Sequence, residues 1–215
     1  MIDPTYLIVS VCLLVVLLWL VKWWRDVALL RTVTTLRRGT PSERNLVVRL
    51  LKFGVPSSCV FHDLYVEKRN GRYSQIDVVA VTQAGIIVFE VKDYSGWIFG
   101  KGYQTYWTQV LNYGKEKYRF YNPVMQNRGH IAALKERLRP FADVPFYSIV
   151  VFYGNCEFRD VSEIPRDVTI VGPGGVTGLC RTIMEQCAPA HYADWDGTLA
   201  ALRKAVANGE DSGVR

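Results

Sequence analysis

The order of the predicted elements indicates an α/β fold, in which a mixed central β-sheet is flanked by helices and preceded by an apolar N-terminal helix. Three observations predict it. An apolar stripe with helical spacing runs through 43–53, three β-branched runs follow between 59 and 92, and a helical stretch at 122–138 precedes a strand-like run at 146–153. Helix, three strands, helix and strand in that order are typical of a sheet with helices packed on it.

Composition excludes several classes of protein. Apolar residues make up 49% and charged residues 21% of the chain, so it can form a packed core and is not a disordered segment. The five cysteines are scattered without a C-x-x-C pair, which disfavours a zinc ribbon or a disulfide framework. The net charge of +6 suits a polyanion or an anionic lipid surface as partner, although basic residues beside a membrane segment also serve topology.

The first 25 residues are predicted to form a transmembrane anchor. The run 6–21 is apolar apart from Ser10 and ends in the aromatic–basic cluster Lys22-Trp23-Trp24-Arg25. Extended to Trp24, the helix has roughly 19 residues and spans about 28 Å, close to one bilayer core. A cleaved signal peptide is disfavoured because the segment lacks a positive n-region and a small-residue cleavage site.

The charges around this segment predict its orientation. Asp3 precedes it without any Lys or Arg, whereas basic residues follow it: Lys22, Arg25, Arg31, Arg37 and Arg38. The positive-inside rule therefore places the N-terminus outside and the remaining domain in the cytoplasm, as a single-pass membrane protein.

The rest of the chain is predicted to divide into four segments: a basic juxtamembrane helix or linker (26–39), a core (40–155), a C-terminal strand with helices that complete the domain (156–207), and a flexible tail (208–215). Ser42 is expected to cap a helix that begins at Glu43. The run Gly172-Pro173-Gly174-Gly175 lacks the Lys-Ser/Thr of a Walker motif, so it is interpreted as a turn.

Aromatic residues dominate the segment 94–121, which is predicted to be loop-rich. Lysines and an arginine lie between them, and this mixture suits stacking and phosphate contacts with single-stranded nucleic acid. The alternative is a hairpin whose aromatic side chains are buried against the sheet, and the sequence favours that alternative.

Three charged residues in two neighbouring predicted strands carry the chemistry. Asp77 interrupts the apolar run 76–81, and Glu90 interrupts 86–91 in the same way. Lys92 lies two residues after Glu90 and therefore projects from the same strand face. A carboxylate in an apolar strand is costly unless it is paired or metal-bound, and carboxylate oxygens are ligands for Mg²⁺ or Mn²⁺. The alternative is a structural ion pair at a strand end.

Several short motifs together resemble the nuclease-related domain (NERD) family over roughly 40–153. They are Ser42-Glu43-Arg44, Gln75-Ile76-Asp77, Phe89-Glu90-Val91-Lys92, Ser95-Gly96-Trp97-Ile98-Phe99-Gly100, Trp107-Thr108-Gln109, and Tyr121-Asn122-Pro123 with Gln126. The resemblance implies a restriction-endonuclease-like fold of the PD-(D/E)XK type, with a helical Glu, a strand Asp and a following Glu-x-Lys.

The resemblance assigns roles by position. Glu43, Asp77, Glu90 and Lys92 match the family's catalytic pattern, and Gln126 matches its helical glutamine; Glu43, Asp77 and Glu90 would hold the metal. Ser42 departs from the family, which usually has Gly before the helical Glu. His130 lies four residues after Gln126, hence on the same helix face, where it would approach the site; a satisfied boundary histidine is the more common case.

The function that follows is a membrane-anchored, Mg²⁺- or Mn²⁺-dependent nuclease hydrolysing phosphodiester bonds in DNA or RNA. The alternative is a non-catalytic membrane module that binds nucleic acid or protein and keeps a relic nuclease fold.

Overall fold

The computed structural model describes residues 4–209, which form five α-helices and nine β-strands. The helices are α1 (Pro4–Leu30), α2 (Pro41–Phe53), α3 (Pro123–Leu138), α4 (Val176–Gln186) and α5 (Trp195–Asn208). The strands are β1 (Val60–Glu67), β2 (Tyr73–Thr82), β3 (Gly85–Asp93), β4 (Gly96–Lys101), β5 (Tyr106–Leu111), β6 (Glu116–Tyr121), β7 (Phe146–Tyr153), β8 (Cys156–Ser162) and β9 (Val168–Val171).

A mixed five-stranded sheet forms the centre of the domain, in the order β1-β2-β3-β7-β9. The first three strands pair antiparallel, and β3, β7 and β9 pair parallel. Because β2 and β3 are apolar on both faces, they form the buried middle of the sheet, and helices flank it. The predicted α/β class, a mixed sheet flanked by helices, is confirmed.

A second sheet interrupts that order between β3 and α3. The segment 94–121, predicted to be loop-rich, forms β4, β5 and β6, and β8 joins them in the order β6-β5-β4-β8. The prediction was wrong because these strands are only six residues long and their polar residues mask the alternation. The strand β8 was also missed, since most of its residues are exposed or half-buried.

Buried aromatic side chains join the two sheets. Trp107 of β5 is fully buried and its ring stacks on Phe152 of β7, with centroids 6.3 Å apart. Gly100 makes this possible, since a Cβ there would lie 2.2 Å from the Trp107 ring. The buried-hairpin interpretation holds for Trp107, whereas Tyr103, Tyr106 and other members of the segment remain exposed.

The N-terminal helix is longer than predicted. It continues without a break to Leu30, which is buried in the main core, and turns follow up to Arg38. Within the predicted segment 26–39, residues 26–30 therefore belong to α1 and the rest forms turns and a linker without a helix of its own. The reason is that Arg38 turns inward: its Nη2 donates to the carbonyls of Asp63 at 2.7 Å and Val206 at 3.0 Å.

The exposed part of α1 has the length and composition of a membrane span. The stretch Ile8–Leu30 has 23 residues with a mean hydropathy of 2.0, and its most apolar window has no buried residue. A core helix of a soluble protein would be mostly buried. Burial begins near Asp26, so the helix projects from the domain before it joins the core.

The N-cap residue of α2 differs from the prediction. Thr40, not Ser42, is the N-cap: its hydroxyl accepts from the Glu43 N–H, and the Glu43 carboxylate accepts from the Thr40 N–H at 3.2 Å. This capping box fixes the position of Glu43. Ser42 instead donates to Asp93 and ties the helix to the end of β3.

The C-terminal helices α4 and α5 lie where the sequence predicted helices. Asn208 ends α5, and its side chain donates to the Tyr65 carbonyl at 2.9 Å. The remainder of the predicted flexible tail, 210–215, lies outside the described residues.

Candidate active site

The two strand carboxylates lie side by side. Val78 of β2 pairs with Phe89 of β3, and continuing this antiparallel register by one residue sets Asp77 across from Glu90. The Asp77 Oδ2 accepts a hydrogen bond from the Val91 N–H at 2.7 Å, which holds the carboxylate at this position. The strand pairing alone therefore brings two acidic side chains to one place.

Glu90 is only 1% exposed, and both of its oxygens are paired. The Lys92 ammonium lies 2.7 Å from Oε1, and the His130 Nε2 lies 3.1 Å from Oε2. His130 in turn has its Nδ1 2.9 Å from the Ser74 hydroxyl. Hydroxyl, imidazole and carboxylate therefore form a chain of hydrogen bonds.

Lys92 is the cation of the site. Its Nζ also donates to the Gln126 Oε1 of α3 at 3.0 Å, so the ammonium is held between a strand carboxylate and a helical amide. Burial alone would lower the pKa of Lys92, but Glu90 and Asp77 outweigh burial and leave that pKa above its ordinary value. Lys92 is therefore charged at neutral pH.

A second chain of the same kind ends at Glu43. The His62 Nε2 lies 3.2 Å from the Glu43 Oε2, and the His62 Nδ1 lies 2.9 Å from the Thr34 hydroxyl. Gly39 has a φ of +58°, and a Cβ there would lie 2.4 Å from both the Glu43 Oε2 and the His62 Nε2. Only glycine allows the backbone to pass so close to this pair.

The two acidic positions differ in their electrostatics. Burial would raise the pKa of Glu43, but hydrogen bonds from His62 and Thr40 outweigh it and leave that pKa below its ordinary value. Burial raises the pKa of Asp77 well above its ordinary value, and the charges of Glu90 and Glu43 raise it further, despite the Val91 N–H and Lys92. Asp77 therefore lies in a region with an excess of negative charge.

Comparison with known proteins decides the family. The sequence profile of the nuclease-related domain matches residues 38–153, more than half of the chain. The chain belongs to the nuclease-related domain family. An uncharacterised protein of Bacillus anthracis is 30% identical over 125 residues, which are 58% of this chain and 57% of that relative. The aligned region thus covers under two thirds of the curated relative's length. No solved structure matches the chain.

The residues predicted to hold a metal carry suitable oxygen atoms, but the described side chains do not form a complete metal-binding group. Among residues 4–209, no three His, Cys, Asp or Glu side chains are grouped closely enough to hold an ion. Oxygen donors nevertheless suit Mg²⁺ or Mn²⁺. A divalent cation beside Asp77 would offset the negative charge of Glu90 and Glu43 that raises the pKa of Asp77. The oxygen atoms of the predicted residues therefore suit such an ion chemically, but the described side chains are not grouped closely enough to hold one.

Sequence reasoning missed three residues around this NERD site. Asp77, Glu90, Lys92 and Gln126 are brought together, and the charge of Glu43 reaches Asp77. The predicted approach of His130 occurs, through its contact with Glu90. The missed residues are His62, Thr34 and Ser74. The pair His62-Asp63 inside the otherwise largely apolar strand β1 was a usable signal, because a buried imidazole needs a polar partner.

Proposed function

We propose that the chain is a membrane-anchored, Mg²⁺- or Mn²⁺-dependent nuclease that hydrolyses phosphodiester bonds in DNA or RNA at the cytoplasmic surface. The observation that carries this proposal is the position of Lys92. Its ammonium lies 2.7 Å from Glu90 and 3.0 Å from Gln126, in the same cluster as Asp77. A protonated lysine beside two carboxylates suits a reaction in which negative charge grows on phosphate oxygens.

Each residue of the cluster has a proposed task. Asp77 and Glu90 would hold the cation, with Glu43 nearby; the bound ion would supply a water of lowered pKa and offset phosphate charge. Lys92 stabilises the charge that develops on the phosphate or orients the attacking water. Gln126 keeps the ammonium in place, and His130 orients Glu90 from the other side.

The membrane part of the proposal rests on α1. Its apolar side chains project from the domain, and no other described part of the chain buries them. An exposed apolar surface of this size marks an interaction site, and a 23-residue apolar helix is long enough to cross a bilayer. Leu30 at the end of the same helix is packed into the core, which supports an anchor that stays attached to the domain. The basic residues after the span favour a cytoplasmic domain.

Nuclease activity and metal-dependent melting of the full chain in detergent test the proposal together. Mg²⁺ or Mn²⁺ should raise the melting temperature of the wild type in a concentration-dependent way, because a ligand of the native state stabilises it by mass action. Asp77→Asn should abolish cleavage and most of this gain. The full chain is needed, because a domain cut at residue 40 would lack Thr34 and Arg38, which contact His62 and Asp63.

The control is Asp143→Asn, which changes an exposed carboxylate outside the cluster. It should melt and cleave like the wild type. An identical metal response in wild type and Asp77→Asn would rule out the metal site, and absence of cleavage on DNA and RNA with an intact metal response would rule out the nuclease.

A second candidate is a non-catalytic module that retains the nuclease fold. The observation in its favour is that both Glu90 oxygens are already paired, with Lys92 and His130. In that case the carboxylate serves the fold and the domain binds nucleic acid without cleaving it. Binding of a labelled oligonucleotide that is unchanged in Asp77→Asn, without cleavage by the wild type, would favour this candidate.

A further inference from the structure

An open cavity lies where α1 enters the domain. It has a volume of about 500 Å³ and is bounded by α1, α2, the end of β7 and the start of α4. Its charged lining residues are Lys22, Asp26, Arg49 and Lys52. A second cavity of about 510 Å³ shares Lys22, Asp26 and Lys52 and continues along α1 past Leu18 and Val21. The two cavities therefore form one groove, here called the α1 groove.

The inner end of the α1 groove contains a buried polar atom without a partner. Among the described residues, the buried Nε of Arg49 has no hydrogen-bond partner, and the buried hydroxyl of Tyr153 has only the Arg49 guanidinium beside it. Both residues line the same cavity. Tyr153 as a whole is 9% exposed, so its hydroxyl lies inside the protein and faces this space. Buried polar groups are nearly always satisfied, so the unpaired Arg49 Nε beside this cavity is consistent with a ligand that accepts its hydrogen.

The groups around this end favour an anion. Arg49, Lys52 and Lys22 are cationic, and the Asp26 carboxylate is already taken by Lys52 at 2.5 Å. The helix α4 also begins here: Pro173 and Thr177 line the cavity, and in the described chain the helix has neither a side-chain cap nor an acidic residue in its first turn. An uncapped helix N-terminus beside arginine and lysine is suited to phosphate.

The predicted turn at 172–175 is a short 3₁₀ turn. Although it is no Walker loop, this turn sets the start of α4 at the groove.

The outer end of the groove favours a lipid over a free phosphate. There the lining changes to Leu18, Val21 and Leu29, which belong to the apolar stretch of α1. Lys22 and Arg25 lie between the apolar and the polar ends. A molecule that fills the whole groove needs an apolar chain at one end and an anionic group at the other. A phosphodiester headgroup with acyl chains has both.

We propose that the α1 groove binds one anionic phospholipid, with its headgroup phosphate at Arg49, Tyr153 and Lys52 and its acyl chain along Leu18 and Val21. This inference rests on the proposed membrane span and is independent of the nuclease assignment. The bound lipid fastens α1 to α2 and α4, so it sets the height and tilt of the domain at the membrane.

Thermal melting of the full chain in neutral detergent, followed by tryptophan fluorescence, tests the groove. The probes are phosphatidylglycerol, phosphatidylcholine and inorganic phosphate. Phosphatidylglycerol should raise the melting temperature by roughly 5 °C at saturation, since a native-state ligand stabilises by mass action. Phosphatidylcholine and inorganic phosphate should each give less than half of this shift. Equal shifts with phosphatidylcholine, or a full shift with phosphate alone, would overturn the assignment to an anionic lipid.

Two variants and a control locate the binding. Tyr153→Phe removes one oxygen and keeps the ring, and Arg49→Gln removes the charge; both should lose at least half of the phosphatidylglycerol shift. Arg137→Gln, on an exposed position of α3, should keep it. Equal shifts in all four proteins overturn the proposal. Co-flotation with liposomes tests the span separately: both variants should still float, whereas a wild type that does not float removes the basis of the lipid site and leaves the nuclease proposal standing.

Discussion

Two chains of hydrogen bonds with the same order, hydroxyl to histidine to glutamate, end at acidic residues of the site. In each, a hydroxyl contacts a histidine Nδ1, and the histidine Nε2 contacts a glutamate: Thr34–His62–Glu43 on one side and Ser74–His130–Glu90 on the other. The remaining oxygens of the two glutamates differ in their partners. Glu43 completes the capping box of α2, whereas Glu90 pairs with Lys92.

This comparison distinguishes Glu43, a carboxylate whose charge stabilises the fold, from Asp77, a carboxylate whose charge does not. The surroundings of Glu43 lower its pKa, so the ionised Glu43 stabilises the fold. The charge of Asp77 has no such stabilising effect on the fold, because burial, Glu90 and Glu43 raise the pKa of Asp77. Charge that destabilises the native protein is retained where the chemistry needs it. Under the proposed function, the Glu90 side with Asp77 and Lys92 would be the reactive half, and the Glu43 side would hold it in place.

The largest effect is expected for Lys92→Ala, which tests the reactive half directly. Loss of a charge that acts mainly in the transition state typically lowers turnover by about a hundredfold or more, about 3 kcal/mol. The variant should still show the metal-dependent rise in melting temperature, because Lys92 holds no metal. Lys92→Arg should restore little activity, since a planar guanidinium differs in shape and reach from an ammonium.

Steady-state cleavage rates and melting curves of the same preparations decide the outcome. Lys101→Ala serves as the control, because it also removes a lysine paired with a glutamate, here Glu163, but on the surface. Cleavage by Lys92→Ala at the wild-type rate would end the mechanistic role of this residue. A collapse of its melting temperature with no metal response would identify a structural ion pair instead.

A smaller effect is expected for Gly39→Ala, which disturbs only the Glu43 side. A Cβ at φ +58° is strained, and it would lie 2.4 Å from Glu43 and His62. Backbone strain of this kind costs about 1–3 kcal/mol, so the free energy of unfolding should fall by about 2 kcal/mol. Gly178→Ala in α4 is the matched control: its Cβ meets open space, and a helical alanine should be neutral or stabilising.

Urea denaturation of both variants measures this difference, and a Gly39→Ala protein as stable as Gly178→Ala would contradict the close packing at Glu43. Residual activity adds a second comparison. If the Glu43 side only positions the reactive half, the folded fraction of Gly39→Ala should retain more activity than Lys92→Ala.

The sequence predicted the cluster of Asp77, Glu90 and Lys92 better than it predicted the contacts around Glu43. Asp77, Glu90 and Lys92 are close in sequence and lie on two strands joined by a short turn, so local pairing rules bring them together. His62 reaches Glu43 through a contact between β1 and α2, and Thr34 lies in a turn that follows α1. No local pattern encodes these contacts, because they depend on how Arg38 and Gly39 direct the chain over β1.

The second sheet was missed for a related reason. Its residues alternate weakly, because Tyr106, Tyr118 and Tyr121 are exposed while Trp107 is fully buried. An aromatic residue alone does not reveal which face it occupies. By contrast, α3 and β7 were predicted with their bounds, since the Asn122-Pro123 start and the apolar run 146–153 are local signals.

The smallest effect, and the sharpest contrast between the two sides, is expected for Asp77→Asn in the presence of a chelator. The pKa of Asp77 is raised in the folded protein, so between its ordinary pKa of 3.8 and the raised value the folded state binds more protons than the unfolded state. Stability therefore falls as the pH rises through that window, and the full penalty is present above the raised pKa. Asparagine carries no charge and keeps an oxygen for the Val91 N–H. At pH 8 the melting temperature should rise by about 2 °C, or about 1 kcal/mol for a chain of this size, and the gain should vanish near pH 4.

Glu43→Gln should behave oppositely: the pKa of Glu43 is lowered, so its stabilising charge is present above the ordinary pKa of 4.5, and its removal should lower the melting temperature at pH 8. Melting curves of both variants at the two pH values check these expectations: opposite shifts at pH 8, and no gain for Asp77→Asn near pH 4. A fall in melting temperature for Asp77→Asn at pH 8 without metal would show that the Asp77 charge supports the fold, and the division into a reactive and a supporting half would be lost.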